Sequence, residues 1–458
     1  TGNLAVANVH VAPGLGNAMG SLYNAKFVGS PIILTAGQQE QGHGLMEPML
    51  YAPLVPIAQP LVKWSVEVTK TEDLDRVVRR AAKIALTPPT GPVFLSLPGD
   101  ILEGTLEQPI AEPTRINIET RPSDSVIEKI TQRILTSKNP VIIAGDEIPL
   151  RGALSLAGDL ASIIGAPVWQ QTIPHGSHFL SKHKCYQGYL SRNQQTVRNI
   201  LQPHDLLIFL GSDVIRMSVM STIDPIPFGK PIIHISENSE GLGKNYTTEF
   251  AINTNIKITL ETLITQIGID QTTQQKHESK TRLEQFSKTN WQIKKNQLAL
   301  ETRKHAHSKP INPQYLMMTI AESIPDNAVI VEEGLSSTVS LLNFLSIEDK
   351  SRYFGLASGG IGFATAGAIG VGLGVRPRPV IAIIGDGSFM YSAQALWTTA
   401  NLNLPITYVI LNNQGYQILK QRLKTFRGCE KFIGMSITDP EIDYVPLAKS
   451  MGISGVKT

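Results

Sequence analysis

Cysteine is nearly absent from this sequence: only Cys185 and Cys429 occur among 458 residues. They lie far apart and show no CxxC or metal-type spacing, which argues against a disulfide framework and against a zinc site. So few cysteines are typical of a reducing compartment, and we expect a cytoplasmic protein. The class of small secreted domains held together by disulfides is excluded.

Charge of one sign is not concentrated anywhere either. The 41 basic and 38 acidic residues give a formal net charge of +3, so neither nucleic acid nor a membrane is expected as a partner. The closest histidine pairs, His175/His178 and His305/His307, have no acidic or cysteine partner and do not predict a metal site. The GxGxxG fingerprint is missing, which disfavours a nicotinamide-dependent oxidoreductase.

Long uncharged runs are missing as well, with the exception of residues 359–375, GGIGFATAGAIGVGLGV. Glycine and alanine dominate this run and contribute little to membrane insertion, so we do not expect it to span a bilayer. Its small residues recur every four positions, which is typical of a helix packed closely against another backbone. The run therefore predicts a buried helix.

What the sequence does contain is a repeated α/β pattern. Short apolar runs ending in Gly, Asn or Asp alternate with stretches of helix length, which is typical of parallel βα units. We predict an α/β fold with three doubly wound parallel-sheet domains, at residues 1–113, 121–268 and 311–458. The polar, Gln/Lys-rich residues 269–310 are predicted to be a surface linker with a helix in it.

The third segment holds the residues that indicate chemistry. Asp386 stands between Gly385 and Gly387 at the end of one apolar run, and Asn413 ends the next run 27 residues later. The stretch SFMYSAQALWTTANLNL between them predicts one helix, so both residues would lie at the same edge of a parallel sheet. Carboxylate, amide and carbonyl oxygens suit Mg²⁺ with phosphate, and glycines let the backbone approach a diphosphate. Each motif alone would be an ordinary turn, but together they predict a cation–diphosphate site.

GDG followed by NN at this spacing resembles the thiamin diphosphate signature. The wider chain resembles the thiamin diphosphate-dependent 2-oxoacid decarboxylase and acetolactate synthase superfamily, and within it the benzoylformate decarboxylases. The resemblance covers nearly all positions and implies the order pyrimidine-binding, middle and diphosphate-binding domain. The runs that carry it are HVAPGLGNAMGSLYNA, SPIILTAGQQ, PLVKWSVEV, GPVFLSLP, ASGGIGFATAGAIGVGL and VIAIIGDGSFMYSAQALWTTA.

The resemblance implies two cofactors, thiamin diphosphate and Mg²⁺. It implies that Mg²⁺ is bound by Asp386, the side chain of Asn413 and the backbone carbonyl of Gly415, with Asn413 serving the cofactor site as well. The positions that match contacts to the diphosphate are Ser336, Gly387 and Ser388.

Further positions match parts of the family's active site. Ile361 matches the bulky residue that bends the cofactor into a V shape, and Gly359 matches the carbonyl that receives the cofactor's amino group. His10 matches an active-site histidine, so the resemblance implies a proton-transfer role for it. Gln38 and Gln39, which are also near a predicted strand end, are interpreted as structural.

The reaction implied by the family is decarboxylation of a 2-oxoacid through an enamine, which then releases an aldehyde or is ligated to a second carbonyl. An acetolactate synthase-type carboligase and a non-catalytic cofactor-binding relative remain alternatives. FAD, which some carboligases carry in the middle domain, is not indicated by any motif. Family members place the cofactor between subunits, which implies a homodimer or homotetramer.

The sequence departs from the family pattern in three ways. The family's glutamate that protonates the cofactor would precede the first residue, and a last βα unit is not found, so we expect a catalytically impaired fragment truncated at both ends. Ser218 stands where benzoylformate decarboxylases have a second histidine, and serine cannot replace imidazole near pH 7. Arg422 replaces an aromatic residue of the substrate pocket, where it would favour a carboxylated or otherwise polar substrate, or else it lies on the outer face of a basic helix. The reaction class survives these differences, but benzoylformate as the substrate does not.

Overall fold

The computed structural model describes residues 2–107 and 109–458. The chain divides into two compact units. Unit 1 comprises the chain up to Glu119 together with Ala357–Gly360, and unit 2 comprises Thr120–Leu356 and Ile361–Thr458. Each unit is described by itself below.

Unit 1 contains one four-stranded parallel sheet with the strand order β1-β2-β4-β3. Alternate residues of its strands enter two different apolar clusters: Leu34 and Phe94 belong to one, and Ile33 and Val93 to the other. Both faces of the sheet are therefore covered, as parallel sheets require. The strands are β1 (Ala5–Val9), β2 (Ile32–Gln38), β3 (Ser65–Glu67) and β4 (Val93–Pro98); the helices are α1 (Val11–Phe27), α2 (Leu54–Ala58), α3 (Leu74–Leu86) and α4 (Gly99–Glu103).

The first part of unit 2 contains a six-stranded parallel sheet with the order β10-β9-β8-β5-β6-β7. Its central strand β5 is buried throughout, with Ile142 facing one apolar cluster and Val141 facing another. The strands are β5 (Pro140–Ala144), β6 (Val168–Gln170), β7 (Tyr186–Tyr189), β8 (Leu206–Leu210), β9 (Ile232–Ser236) and β10 (Phe250–Asn253). The helices are α5 (Asp124–Thr136), α6 (Glu147–Leu150), α7 (Leu154–Ile164), α8 (Gln194–Leu201), α9 (Ile256–Asp270), α10 (Thr273–Ser287) and α11 (Trp291–Arg303).

The rest of unit 2 contains a four-stranded parallel sheet with the order β12-β11-β13-β14. Ile383 and Ile384 of its third strand enter opposite apolar clusters, so this sheet is also covered on both faces. The strands are β11 (Val329–Glu333), β12 (Tyr353–Gly355), β13 (Val380–Gly385) and β14 (Ile406–Leu411). The helices are α12 (Pro313–Ser323), α13 (Leu341–Phe344), α14 (Phe363–Val375), α15 (Asp386–Phe389), α16 (Ala395–Asn401), α17 (Gln417–Arg427) and α18 (Tyr444–Ser450).

The predicted α/β fold with three parallel sheets is confirmed. The predicted domain boundaries stay predictions. Within residues 269–310, however, the chain forms two helices, α10 and α11, where the sequence predicted a linker with one. A capping box of Thr272 and Gln275 starts α10, Asn290 caps α11, and the Trp291 side chain is buried and donates to the Leu342 carbonyl at 3.0 Å.

The segment between the two strand ends of interest also differs from its prediction. Instead of one helix it forms α15 and α16, separated by residues 390–394. The amides of Tyr391 and Ser392 donate to carbonyls three residues earlier, and the Ser392 hydroxyl donates to the Gly362 carbonyl at 2.9 Å. These contacts turn the chain out of the helical path.

Most of the glycine-rich run forms α14. We predicted a buried helix, but only part of its surface is buried. Ala364 and Ala368 are buried, whereas Ala366, Gly370 and Gly374, which belong to the stripe of small residues, are exposed. No helix among the described residues is long and apolar enough to cross a membrane.

Candidate active site

The ends of β13 and β14 lie side by side. The two strands pair in parallel, with Gly385 opposite Leu411. Asp386 follows the first strand at once, and Asn413 follows the second after one intervening residue. The strand–helix–strand argument therefore placed these two residues correctly at one edge of the sheet.

Asp386 is a buried carboxylate with only 2% of its surface exposed. Its Oδ1 accepts from the Gly387 amide at 2.9 Å, and its Oδ2 accepts from the Gly415 amide at 3.0 Å. Burial raises the pKa of Asp386, and these backbone hydrogen bonds oppose that rise. A cation beside this carboxylate would offset the cost of its burial.

Asn413 provides the second oxygen at this edge. Its Nδ2 donates to the Ser337 hydroxyl at 3.4 Å, while its Oδ1 is buried and has no hydrogen-bond partner. Buried amide oxygens are almost always paired, so this one is open to a ligand or an ion.

The carbonyl of Gly415 completes the set. It accepts from the Gln417 amide at 2.9 Å and retains a second lone pair. Carboxylate, amide and carbonyl oxygens are the hard ligands that Mg²⁺ takes, with phosphate and water completing the octahedron. Across residues 2–107 and 109–458, no cluster of three or more His, Cys, Asp or Glu side chains could hold a metal ion. The mixed set at Asp386 therefore fits Mg²⁺ and not a histidine- or cysteine-ligated metal.

Close packing at this edge requires glycine at two positions. A Cβ at Gly387 would lie 2.6 Å from the Tyr416 ring, and a Cβ at Gly415 would lie 2.4 Å from the Met435 carbonyl. Gly415 also has a φ of +154°, which few other residues adopt.

Glu333, at the end of β11, is a site residue that the sequence reasoning missed. Its side chain is fully buried and accepts from the amides of Gly362 and Ala364, both at 2.6 Å. Burial raises its pKa to about 7, although these amides and the Ser388 hydroxyl donate to it. Glu333 thus fixes the start of α14, which begins two residues after Ile361. The sequence identified VEEG as a strand end but offered no signal for this long-range contact.

Ser336 lies in a tight turn after β11. The turn is held by Glu332, whose carboxylate accepts from the Gly334 amide at 2.7 Å and from the Thr338 hydroxyl. Leu335 adopts a φ of +48°, an unusual conformation for leucine. Such strain is common where a backbone is shaped for a ligand.

Comparison with known proteins agrees with this geometry. Residues 336–458 match the family described as "Thiamine pyrophosphate enzyme, C-terminal TPP binding domain", and residues 127–263 match "Thiamine pyrophosphate enzyme, central domain". The chain belongs to the thiamine pyrophosphate enzymes. Thiamine pyrophosphate is another name for thiamin diphosphate, so the resemblance found in the sequence is confirmed.

Relatives of this thiamine pyrophosphate enzyme include benzoylformate decarboxylase of Pseudomonas aeruginosa, which is 28% identical over 100% of this chain and 82% of its own. The acetolactate synthase large subunit of Lactococcus lactis is 25% identical over 100% of this chain and 77% of its own. The chain is thus a thiamine pyrophosphate-dependent decarboxylase or carboligase, with a function like that of benzoylformate decarboxylase at the level of the family.

Solved structures give the same result for the fold. Benzoylformate decarboxylase from Polynucleobacter necessarius superposes with a TM-score of 0.86 at 28% identity, covering 100% of this chain and 82% of that chain. The thiamine diphosphate-dependent 4-hydroxybenzoylformate decarboxylase of Rhodococcus jostii RHA1 gives 0.84 at 27% identity, covering 99% and 82%.

Two of the predicted site residues of this thiamine pyrophosphate enzyme belong to unit 1. His10 is exposed, lies at the end of β1 and precedes α1. Gly359 lies in the segment that Asn24 holds: its Nδ2 donates to the Gly360 carbonyl at 3.0 Å, and its Oδ1 accepts from the Ser358 hydroxyl. Asn24 is a second residue that the sequence reasoning did not identify.

Gln38 and Gln39 make hydrogen bonds to the backbone of unit 1. Gln38 donates to the Ala52 carbonyl and Gln39 to the Met49 carbonyl, each at 2.9 Å. Both contacts support the loop that follows β2.

A cleft of about 1410 Å³ opens within unit 2 between its two sheets. Glu333 and Leu335 form part of its wall, and Ser218 and Arg422 line it as well. Among the described residues, Asp386, Asn413 and Gly415 do not contribute to its walls, so the cleft borders the metal-binding edge without including it. Arg422 lies on α17 at the wall of this cleft and is itself exposed.

Proposed function

We propose that this enzyme binds thiamine diphosphate together with Mg²⁺ at the edge formed by β13 and β14, and decarboxylates a 2-oxoacid beside it. The observation that carries this proposal is the pairing of a buried carboxylate, Asp386, with the buried and unpaired Oδ1 of Asn413. In this proposal Asp386, the Asn413 side chain and the Gly415 carbonyl hold the ion.

The diphosphate contacts fall on residues around this edge. Ser388 is buried at the start of α15 and its hydroxyl donates to Glu333, while Gly387 keeps the backbone open. Ser336 lies in the turn after β11 and is only partly buried. We assign these three residues to the diphosphate.

When bound, thiamine diphosphate supplies the electron sink for cleavage of the bond between the ketone carbon and the carboxylate. The protein's part is to orient the cofactor and move protons. We assign cofactor orientation to Ile361, whose backbone is fixed through Glu333, and to the carbonyl of Gly359. We assign proton transfer to the imidazole of His10, because Ser218 cannot supply a second one.

The assembly belongs to the same proposal. The exposed small residues of α14 adjoin exposed large apolar side chains: Leu373 is 50% exposed, Tyr391 59% and Trp397 60%. An exposed apolar patch of this kind marks an interaction site. We propose that a second copy of the chain covers it, giving a homodimer or homotetramer. The cytoplasmic location expected from the cysteine content stays a prediction.

Turnover tests the proposed function. The chain is incubated with thiamine diphosphate, Mg²⁺ and a panel of aliphatic and aromatic 2-oxoacids, and carbon dioxide and organic products are followed by NMR. Because we expect the chain to be catalytically impaired, we expect slow carbon dioxide release that requires both cofactors, with an aldehyde as the product. A hydroxyketo acid from pyruvate would instead identify a carboligase. Cofactor binding without any carbon dioxide release would contradict decarboxylation.

A further inference from the structure

Helix α17 separates its positive charges between two faces. Lys420 donates to the Ser436 hydroxyl at 3.0 Å, and Lys424 pairs with Glu430 at 2.6 Å. Arg422 lies on another face, which lines the cleft at the helical spacing of three to four residues. The residues of that face are Ile418, Gln421, Arg422, Thr425 and Phe426.

The guanidinium of Arg422 has no partner. Among residues 2–107 and 109–458, no carboxylate lies within ion-pair distance of it and it makes no hydrogen bond. Its five donors thus remain available to a ligand that enters the cleft.

The two lysines that line the same cleft are engaged elsewhere. Lys294 donates to the carbonyl of Gln187 at 3.2 Å and lies 4.8 Å from the centre of the Trp169 ring. Lys295 lies 5.2 Å from the centre of the Trp291 ring. Burial lowers the pKa of both lysines.

A second arginine, Arg192, also lines the cleft, on the side where Tyr189 and Glu332 lie. Burial raises the pKa of Tyr189, and on this same hydroxyl Arg192 and Glu332 act with opposite sign. Arg422 lies on the opposite wall, on α17, and among the described residues it pairs with no carboxylate, so its charge is open to a ligand there.

Arg422 is also close along the chain to the proposed cofactor edge. Helix α17 begins at Gln417, two residues after Gly415, and Arg422 is five residues further on. At 1.5 Å per residue, that is roughly 7.5 Å along the helix axis. Glu333 and Leu335, which border the proposed cofactor site, line the same cleft as Arg422, so a substrate held beside the cofactor can direct its distal end toward this guanidinium.

Resting on the proposed function, we propose that the substrate is a 2-oxoacid with a second carboxylate at its distal end, and that Arg422 binds this carboxylate. The planar fork of a guanidinium matches a carboxylate with two parallel hydrogen bonds. Three acidic side chains, Glu301, Glu332 and Glu333, line the same cleft. They would repel a doubly charged phosphate more than a single carboxylate, and this favours the carboxylate.

Binding of matched ligands tests this proposal. The probes are 2-oxoglutarate and 4-carboxyphenylglyoxylate, each compared with the ester in which only the distal carboxylate is methylated. Their affinities are measured by calorimetry for the chain loaded with thiamine diphosphate and Mg²⁺. The variants are Arg422→Gln, Arg422→Lys and, as a control, Lys424→Gln, which removes a charge from the other face of the same helix.

We expect at least one dianion to bind the unmodified chain about tenfold or more tighter than its ester. Arg422→Gln should reduce that ratio to near one, Arg422→Lys should keep part of it, and Lys424→Gln should keep all of it. Equal affinities for acid and ester, no binding of any probe, or an unchanged ratio in Arg422→Gln would overturn the proposal. Cofactor affinity, titrated first in each variant, separates these outcomes from a failure of the proposed cofactor site.

Discussion

At the residue scale, the site depends on buried polar groups that are only partly satisfied. Asp386 accepts hydrogen bonds from two backbone amides, and the buried Oδ1 of Asn413 accepts none, so both side chains offer oxygens to a ligand at this edge. A divalent ion would satisfy both at once.

Asn413 should therefore be needed for metal binding, whereas its neighbour Asn412 should not. We expect Asn413→Ala to weaken binding of Mn²⁺, used as a spectroscopic replacement for Mg²⁺, by about tenfold or more in the presence of thiamine diphosphate. Electron paramagnetic resonance measures the bound ion. Asn412→Ala removes the same group from an exposed side chain and should bind Mn²⁺ normally. Equal losses in both variants would contradict the assignment of the Asn413 Oδ1 to the ion.

Glu333 predicts a pH dependence. Its folded-state pKa of about 7 lies above the unfolded value of about 4.3. The folded state therefore binds more protons between these values, so the stability that Glu333 contributes is full below about pH 4 and is lost as the pH rises through about 7. Glu333→Gln cannot titrate, so from pH 5 to pH 8 the unmodified chain should lose up to about 3 kcal/mol relative to it.

Urea unfolding of the cofactor-free chain at pH 5 and pH 8 measures this difference. Glu128→Gln, on an exposed position of α5, is the control and should follow the unmodified chain at both pH values. If the unmodified chain instead gained stability over Glu333→Gln as the pH rose, Glu333 would be ionised throughout and the prediction would be wrong.

At the scale of elements, the single turn of α15 is packed against Tyr416, the residue that precedes α17. Gly387→Ala would place a Cβ 2.6 Å from the Tyr416 ring. We expect this overpacking to reduce the free energy of unfolding by about 1–3 kcal/mol, and cofactor affinity with it, because Tyr416 must move. The double variant Gly387→Ala/Tyr416→Leu should recover most of the stability.

A matched control separates this clash from a general effect of the added methyl group. Gly268→Ala lies in α9, where a Cβ meets nothing within 4 Å, and should raise stability by about 0.5–1 kcal/mol. Both changes are read from the same thermal unfolding measurement. A Gly387→Ala variant as stable as the parent chain would show that the turn can relax.

The parts of the site that could be predicted from the sequence are those that follow from the succession of strands and helices along the chain. Asp386 and Asn413 were placed together because a strand, a helix and a parallel strand have one right-handed geometry. The role of Glu333 could not be found this way, because its partners Gly362 and Ala364 are far along the chain and meet it only after β11 packs beside α14. The break between α15 and α16 depends on a similar contact, from Ser392 to Gly362.

The face of α17 that Arg422 occupies was also beyond the sequence. The helix carries an apolar row at Leu419, Leu423 and Phe426, but none of its residues is buried, so periodicity could not show what each face meets. Only the folded structure distinguishes the faces of α17, because the cleft that one of them lines is formed by distant segments of unit 2.

At the scale of the whole molecule, the three parallel sheets agree with the organisation of the relatives, and the open question is assembly. If a second copy covers the face around α14 and α16, a charge there should prevent it. We expect Trp397→Glu to weaken self-association by at least about tenfold in sedimentation velocity experiments, because an unpaired charge would be buried in the interface. Phe228→Glu, a change at a fully exposed aromatic residue elsewhere, is the control. A Trp397→Glu variant that associates like the parent chain would place the interface on another surface.

The central claim is that a divalent ion held by Asp386 anchors the diphosphate, and calorimetric titration with thiamine diphosphate tests it most directly. The titration is made with and without Mg²⁺ on the parent chain, on Asp386→Ala and on Asp159→Ala, which removes an exposed aspartate from α7. We predict binding that requires Mg²⁺, that is retained in Asp159→Ala and that is lost in Asp386→Ala. Binding that is equally tight without Mg²⁺, or that survives in Asp386→Ala, would contradict the account.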